Sequence, residues 1–361
     1  MHMADALLSP TVGAAFIAVS GSALAYSAHR LGRQADERRV PLMGVLGAFV
    51  FAAQMINFSI PGTGSSGHLG GGMLLAILLG PYAAFVVVAS VLVVQCLFFL
   101  DGGILALGTN IFNLGVWPCF LGLLIYRAII GRPRRRQPSA WRLWLAAVIA
   151  VVVSLELGAL GVVVQTLLSR RTDLPFARFT ALMMGIHLPI ALIEGVITSA
   201  VVQYVRALRP TLVRVGETPE QAATSAANGH ETLMPVIVSF LAAAILTSCV
   251  VAWFASPRPD GLEWSLARAQ KAQNSAASPS ISWLEKIQKK LALMPDYDYR
   301  PMPSEKSSGQ ERSQTPEDVW PNVTTGTSVA GLLGAALTFA VVCLVAAALW
   351  WFRSRHGRAA T

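Results

Sequence analysis

The sequence has little charge for its length. Only 13% of its 361 residues are Asp, Glu, Lys or Arg, roughly half the share of about 25% that soluble domains carry. Apolar runs recur along the chain, and a helix of about 20 apolar residues crosses a bilayer. The composition therefore excludes an ordinary soluble domain and predicts an all-α polytopic membrane protein that is surrounded by the lipid bilayer.

Several motifs of enzymes and nucleic-acid-binding proteins are also missing. The chain has no G-x-x-x-x-G-K-[ST] phosphate loop and no H-E-x-x-H, so neither ATP hydrolysis by such a loop nor a zinc protease of that type is expected. Its four cysteines lie far apart in apolar runs without a C-x-x-C, as small buried hydrophobic residues do. The net charge of +9 lies between apolar runs and is not interleaved with aromatic residues, so no nucleic-acid partner is expected.

Nine apolar segments are candidate transmembrane helices. The third is short and begins in glycine-rich sequence, so it is expected to be a tilted or partial span. A long polar segment, 256–325, separates the last two and contains SWLEKIQKKL, which is typical of a short amphipathic helix. The nine segments cover residues 9–28, 41–57, 68–79, 82–100, 104–126, 141–168, 179–205, 234–255 and 328–352.

The distribution of arginine predicts the orientation of the chain. Four segments outside the apolar runs are rich in Arg: HRLGRQADERR, YRAIIGRPRRRQPS, VRALRPTLVRVG and FRSRHGRAAT. The connections SIPGTGSSG and DGG carry almost no charge, and only SRRTD departs from the trend. Because cytoplasmic loops carry an excess of Lys and Arg, the N-terminus is predicted to lie outside the membrane and the C-terminus in the cytoplasm.

The first residues, MHMADALLSP, predict a metal chelator. They lack the basic stretch and apolar core of a secretory signal, and a second residue as large as His2 is expected to leave Met1 in place. The α-amine of Met1, the backbone nitrogen of His2 and His2 Nδ1 can then close two fused chelate rings around one ion. Such a planar nitrogen set leaves a fourth position open and suits Ni(II) or Cu(II). A histidine at position 2 usually has no function by itself, so this hypothesis needs a second element.

That second element is His68, which lies among glycines and small hydroxyl residues in INFSIPGTGSSGHLGGGM. Glycines allow backbone segments to approach closely, so the N-terminal tip can dock at this loop. In the orientation given above, His68 is also outside, at the mouth of the third span, and can supply the fourth nitrogen. The alternative is a flexible turn with an incidental histidine.

Polar residues at membrane depth are further candidates, because burying a polar group there is costly. Asn110 and Asn113 share a helical face in GTNIFNLGV, and His187 and Glu194 share one in IHLPIALIEGVIT. The alternative role for each is a hydrogen bond between helices. The complete set is Asn57, Gln95, Asn110, Asn113, Glu156, His187 and Glu194.

A serine protease is a rival interpretation. Residues 64–67, GSSG, fit the short G-x-S-G pattern of intramembrane serine proteases, which need a hydrogen bond between the serine and a histidine. A pattern of four residues arises readily by chance in glycine-rich sequence. The protease is therefore the less favoured alternative.

Four motifs, taken in order, resemble the CbiM/NikM family of metal-capturing membrane subunits of energy-coupling factor transporters for cobalt and nickel. The resemblance covers residues 1 to about 215 through MHMADALLSP, INFSIPGTGSSGHLGGG, GTNIFNLGV and HLPIALIEGVIT. Further on, PRPDGLEWS and MPDYDYR resemble the small companion subunit, CbiN or NikN, also called PDGLE. The resemblance implies a capture domain of about seven helices over 1–215 and a cytoplasmic linker over 216–233. A companion domain over 234–361 follows, with two helices flanking an outer loop at 256–325.

The resemblance implies a transport subunit without catalytic residues, in the bacterial inner membrane. The only ion it would hold is the transported Ni²⁺ or Co²⁺, and its partners would be an energy-coupling transmembrane subunit and a pair of separate ATPase subunits. Nickel is favoured by the planar nitrogen set and by the fusion, and the alternative is a cobalt importer that feeds cobalamin synthesis. The implied metal ligands are Met1 through its α-amine, His2 and His68. The supporting residues are Asn57, Ser66, Asn110, Asn113, His187 and Glu194.

Overall fold

In the residues that it describes, the structure is mostly helical and contains one small β-hairpin. The computed structural model describes residues 1–34, 39–131, 138–213, 233–270, 282–299, 321 and 323–358. The helices of the first part are α1 (Pro10–Gln34), α2 (Val40–Gln54), α3 (Gly72–Leu79), α4 (Pro81–Phe99), α5 (Leu107–Ile130), α6 (Ala140–Ser169) and α7 (Phe176–Leu208). Those of the second part are α8 (Met234–Cys249), α9 (Gly261–Gln270), α10 (Ser282–Leu291) and α11 (Thr325–Arg358).

Six of the described helices are long and apolar enough to cross a membrane, namely α1, α4, α5, α6, α7 and α11. Two shorter apolar helices, α2 and α8, have 15 and 16 residues. A multi-pass membrane protein therefore agrees with the composition. The number of nine crossings stays a prediction.

The third predicted span, 68–79, forms a helix only over Gly72–Leu79. Its eight residues rise about 12 Å at 1.5 Å per residue, so α3 alone is too short to cross. The chain nevertheless passes here from the end of the molecule that holds His2 to the opposite end. α4 begins beside the C-terminal end of α1, where Arg30 lies 5.4 Å from the ring centre of Tyr82. α4 then leads back to Asp101, which contacts His2. The interpretation as a partial span therefore fits the path of the chain.

The hairpin that precedes α3 positions His68. Strands β1 (Phe58–Ile60) and β2 (Ser65–Gly67) pair antiparallel. The turn between them contains two glycines with positive φ, Gly62 at 75° and Gly64 at 74°, a conformation that glycine adopts without a steric cost. The hairpin therefore ends at Gly67, directly before His68.

The second part of the chain packs mainly on α2. Gly44 of α2 lies against Phe339 of α11, where a Cβ atom would come within 2.7 Å of the aromatic ring. The predicted helix SWLEKIQKKL is confirmed as α10, whereas α9 was not predicted. The predicted linker, 216–233, lies outside the described residues except for Leu233.

Candidate metal centre

The N-terminal tip is buried in the first part of the chain. Met3 is 0% exposed and Met1 6%, so the two thioether side chains on either side of His2 anchor the tip in the core. Asn110 of α5 fixes the main chain at Met3, because its Oδ1 accepts from the Met3 amide at 2.8 Å. The Gly103 amide donates to the Met3 carbonyl at 3.0 Å. Apolar burial and two hydrogen bonds thus fix where His2 lies.

The α-amine of Met1, His2 and His68 meet at this tip. The amine nitrogen lies 3.3 Å from His68 Nε2. The rings of His2 and His68 are stacked, with centroids 5.1 Å apart and planes 7° from parallel. The structure therefore brings together the three groups that the sequence nominates as ligands.

The parallel stacking of the two rings determines whether both could bind one ion. A metal ion lies in the plane of each imidazole that binds it, and two stacked rings have no such point in common, so one ring must turn before both can bind one ion. His2 Nδ1, the atom expected to chelate, lies 2.9 Å from Asp101 Oδ1. His2 Nε2 is buried and has no hydrogen-bonding partner among the described residues. Chelation through Nδ1 therefore requires the exchange of Asp101 for the ion.

The second part of the chain contacts both ends of this arrangement. Asp260, just before α9, accepts from the Met1 ammonium through Oδ2 at 3.1 Å. Tyr297 donates its hydroxyl hydrogen to Asp101 Oδ2 at 2.6 Å, which leaves the other oxygen of Asp101 for His2. One carboxylate of the second part thus binds the amine directly, and one phenol reaches His2 through Asp101.

The electrostatic environment keeps His68 neutral. Burial, followed by the nearby α-ammonium and His2, lowers the pKa of His68 to about 3, so Nε2 keeps its lone pair at neutral pH. Burial would raise the pKa of Asp260, but the α-ammonium beside it prevails and lowers that pKa to about 2. His2 and Tyr297 likewise outweigh burial and hold the pKa of Asp101 below its usual value. The site therefore combines a neutral imidazole with two charged carboxylates.

A cavity of about 500 Å³ opens beside His2, between the two parts of the chain. Its wall includes six carboxyl groups and one arginine, Arg258. Four of the carboxyl groups come from the segment that contains α9 and α10 and from the residues that follow α10. The six are Asp5, Asp101, Asp260, Glu263, Glu285 and Asp296.

Comparison with known proteins identifies the family. Residues 2–212 match the family model described as CbiM, the cobalt uptake substrate-specific transmembrane region. The chain belongs to the CbiM family. Residues 234–350 match the PDGLE domain model, so a CbiM region and a PDGLE region stand in one chain, in that order.

Two relatives are named as fused nickel transport proteins. A putative fused nickel transport protein, NikMN, of Archaeoglobus fulgidus is 39% identical over 225 residues, which cover 62% of this chain and 71% of the relative. A probable fused nickel transport protein, LarMN, of Lactiplantibacillus plantarum is 30% identical and covers 58% of this chain and 66% of the relative. A crystal structure of a transition metal transporter superposes with a TM-score of 0.51 and 30% identity, over 63% of this chain and 100% of that one.

The other residues nominated in the CbiM region lie around the tip in different roles. Glu194 of α7 accepts from the amides of Gly70 and Gly71 at 2.8 and 2.9 Å, and it therefore braces the segment that follows His68. Asn113 pairs with Gln165 of α6 through two hydrogen bonds of 2.7 and 3.1 Å, which is the helix-to-helix role. The side chain of Gln95 donates to Gln54 at 2.7 Å.

Ser66, Asn57 and His187 lie next to the PDGLE region. Ser66 donates its hydroxyl hydrogen to the Arg258 carbonyl at 2.7 Å. The Asn57 carbonyl accepts from the Ser256 amide at 2.6 Å, and Asn57 also lines the large cavity. His187 lines a second, much smaller cavity together with Met1 and His68. All three therefore lie where the two parts of the chain meet.

The rival interpretation as a protease is not supported by the serine contacts. The hydroxyl groups of Ser65 and Ser66 donate to the backbone carbonyls of Ser66, Arg258 and Pro259, and within the described residues neither forms a hydrogen bond to a histidine. The described residues also contain no group of three His, Cys, Asp or Glu side chains arranged to hold a metal.

Sequence reasoning missed three residues at the centre: Asp101, Asp260 and Tyr297. Asp101 was noted only as the single acid of an outer connection, and the other two only as members of motifs in the companion region. The signal was present, because an acid in a short outer connection and the acid of PRPDGLEWS both fall on the side predicted for His2. Their contacts span 99 to 259 positions of sequence (101 − 2 and 260 − 1), so no local pattern could assign them.

Proposed function

We propose that this chain is the metal-capturing transmembrane subunit of an ATP-driven energy-coupling factor importer for a divalent transition metal, with nickel favoured over cobalt. The observation that carries the proposal is the meeting of the Met1 amine, His2 and His68, with 3.3 Å between the amine and His68 Nε2. Family membership and the fused nickel transport relatives support the same assignment.

The proposed ligands are four nitrogen atoms: the α-amine, the His2 backbone nitrogen, His2 Nδ1 and His68 Nε2. In the proposed loading, the ion would replace Asp260 as the partner of the amine and Asp101 as the partner of Nδ1. The ammonium and the His2 backbone amide would each release one proton to solvent, and the hydrogen on Nδ1 would move to Nε2 or to solvent. The carboxylates of Asp101 and Asp260 stay next to the ion, and their negative charges balance its positive charge. A planar set of four nitrogen ligands suits nickel, whereas a cobalt importer feeding cobalamin synthesis remains the second candidate because one relative is named a cobalt transport protein.

The proposed orientation places the tip outside a bacterial inner membrane. Arg30 of α1 and Arg142 of α6 lie at helix ends away from the tip: Arg30 beside the start of α4, and Arg142 at the end of α5, whose Ile129 carbonyl accepts from it at 2.9 Å. This agrees with the positive-inside rule. Because the sequence contains no phosphate loop, ATP hydrolysis is assigned to separate ATPase subunits, joined through an energy-coupling membrane subunit.

The test is the absorption spectrum and metal content of the purified full chain after exposure to nickel. The parent protein is expected to bind one nickel ion and to show the yellow band of planar nickel. His2→Ala and a version with one residue added before Met1 should both lose the band, because each removes part of the chelate. The exposed His29 offers a matched control, since His29→Ala should keep it. A band that survives the added residue would show that the amine is not a ligand.

A further inference from the structure

The apolar face of α10 is exposed in the part of the chain that the structure describes. Trp283, Ile287 and Leu291 follow one another at intervals of four residues and therefore form a row along one face of the helix. Their exposed fractions are 60%, 43% and 43%. A contiguous row of large apolar side chains that stays exposed marks a contact with a protein or a membrane, so this face calls for an occupant.

Another face of α10 holds the helix against the end of α4. Gln288 is 7% exposed, and its side-chain amide donates to the Cys96 carbonyl at 2.9 Å. Just after α10, the Leu293 amide donates to the Phe98 carbonyl at 2.9 Å. α4 ends at Phe99 and is long and apolar enough to cross a membrane. α10 therefore lies at the level where that span meets the membrane surface.

The beginning of α1 is also close to α10. Glu285 of α10 lines the cavity beside His2 together with Asp5, and Asp5 lies shortly before α1, which starts at Pro10. Only 17% of the residues in the most apolar stretch of α1 are buried, which leaves most of that helix to contact lipid. α10 therefore lies near the edge of the bundle, beside a helix that borders the bilayer.

Two lysines border the apolar row. Lys286 and Lys290 are both exposed. Each lies three positions after a member of the apolar row, so the two rows run side by side along the helix. At a membrane surface, lysine rests its methylene stem on apolar surface and extends its ammonium group to the headgroups, and tryptophan is enriched at the same depth. An apolar row with lysines beside it is the pattern of a helix that lies in a membrane interface.

We infer that α10 is an interfacial helix, which binds the bilayer leaflet on the side of His2. Its apolar row enters the acyl chains, and Lys286 and Lys290 bind anionic phospholipid headgroups, whose charge complements theirs. α10 leads into the segment that carries Tyr297, whose hydroxyl donates to Asp101 at 2.6 Å. The membrane contact therefore anchors the part of the PDGLE region that reaches the N-terminal tip. The inference does not depend on metal binding.

Photo-cross-linking identifies the occupant of the apolar row. Ile287 is replaced by the photoreactive residue benzoylphenylalanine in the full chain, and the membranes of the producing cells are irradiated before purification. We expect an adduct with the added mass of a phospholipid. The matched control has the same residue at Ala267, an exposed position of α9, and should give no lipid adduct. A cross-link from position 287 to a second copy of the chain or to another protein, or no adduct there, would overturn the inference.

The role of the lysines is tested in lipid nanodiscs made of phosphatidylcholine with and without phosphatidylglycerol. Each lysine at an anionic surface contributes enough attraction to change the bound population about fivefold. Hydrogen exchange of the amides at 286–291 in the full chain should therefore be at least about fivefold slower with phosphatidylglycerol. The double variant Lys286→Gln, Lys290→Gln should lose this difference, whereas Arg178→Gln, at an exposed position of α7, should keep it.

Equal exchange of the parent protein in the two kinds of nanodisc would overturn the role of the lysines, and so would a difference that persists in the double variant. No metal is added in either experiment. A failure here therefore leaves the proposed function in place, and a failure of the nickel spectrum leaves this inference in place.

Discussion

The ion pair between the Met1 ammonium and Asp260 is expected to hold the N-terminal tip in its docked position. The side chain of Met1 is 5% exposed and that of Asp260 18%, so solvent screens the pair only partly. Asp260→Asn removes the charge and keeps the shape. It also keeps the start of α9, because Asp260 Oδ1 accepts from the Glu263 amide at 2.8 Å and Asn caps a helix as well as Asp does.

The magnitude follows from the loss of a hydrogen bond between two charged groups. The Asn oxygen keeps the contact with the Glu263 amide, so the Asn NH2 group faces the Met1 ammonium and cannot accept from it. A bond to a charged group contributes about 1.5–3 kcal/mol, and the substitution should cost that much. This corresponds to a roughly ten- to hundredfold larger population of the opened tip. The Met3 amide, which donates to Asn110 at 2.8 Å, is released when the tip opens.

Hydrogen exchange measured by mass spectrometry on protein in lipid nanodiscs reports this opening. Exchange of the segment 3–8 should become roughly ten- to hundredfold faster in Asp260→Asn. Glu263→Gln is the matched control, because Gln can replace Glu in the contact of its side chain with the Asp260 amide. Exchange within about twofold of the parent in Asp260→Asn would refute the reasoning.

Two further predictions concern the contacts of the second part and the charge of the site. Tyr297→Phe keeps the ring stacked on Phe99, with centroids 5.1 Å apart, but removes the 2.6 Å hydrogen bond from the hydroxyl to Asp101. Hydrogen exchange of the amides at 293 and 294 should therefore become roughly ten- to a hundredfold faster. Tyr299→Phe, at a side chain that is 55% exposed, should leave it unchanged, and equal rates in the two variants would contradict the role of the hydroxyl. Because the pKa of His68 is lowered to about 3, its ring should stay neutral from pH 8 down to about 5. A titration midpoint of His68 above about pH 5, read by NMR of labelled histidine, would contradict this prediction.

The tip and His68 could be predicted from sequence because each is marked by local composition. Methionines on either side of His2 and glycines around His68 are visible in a few residues, and both lie on the side that the arginines define. The partners of these residues could not be predicted, because Asp101, Asp260 and Tyr297 reach the tip through tertiary packing. The contact between His2 Nδ1 and Asp101 could not be predicted either, because the chelate argument considers only the metal-bound form.

Helix lengths show a similar division between local and tertiary information. α10 follows from the amphipathic pattern of SWLEKIQKKL. α3 starts at Gly72 and ends at Leu79 because Gly71 and Gly80, which flank it, have positive φ values. Several glycines lie nearby in the sequence, and packing determines which of them adopt this conformation. Gly71, for example, lies against Val50 of α2, which a Cβ atom would approach to 2.7 Å.

The main-chain bridge between the hairpin and the PDGLE region has a consequence for assembly. The Ser66 amide donates to the Pro259 carbonyl at 2.8 Å, and Ser66 pairs with Asp260 as in a parallel sheet. Main-chain pairing adds affinity with little dependence on the side chains. If the companion were a separate chain, the fraction of molecules in which it occupies this position would depend on its concentration. Joining both parts in one polypeptide makes the encounter intramolecular, with an effective concentration in the millimolar range for a short linker. The stoichiometry is then one to one in every molecule, and dilution in the membrane cannot separate Asp260 from the amine it binds.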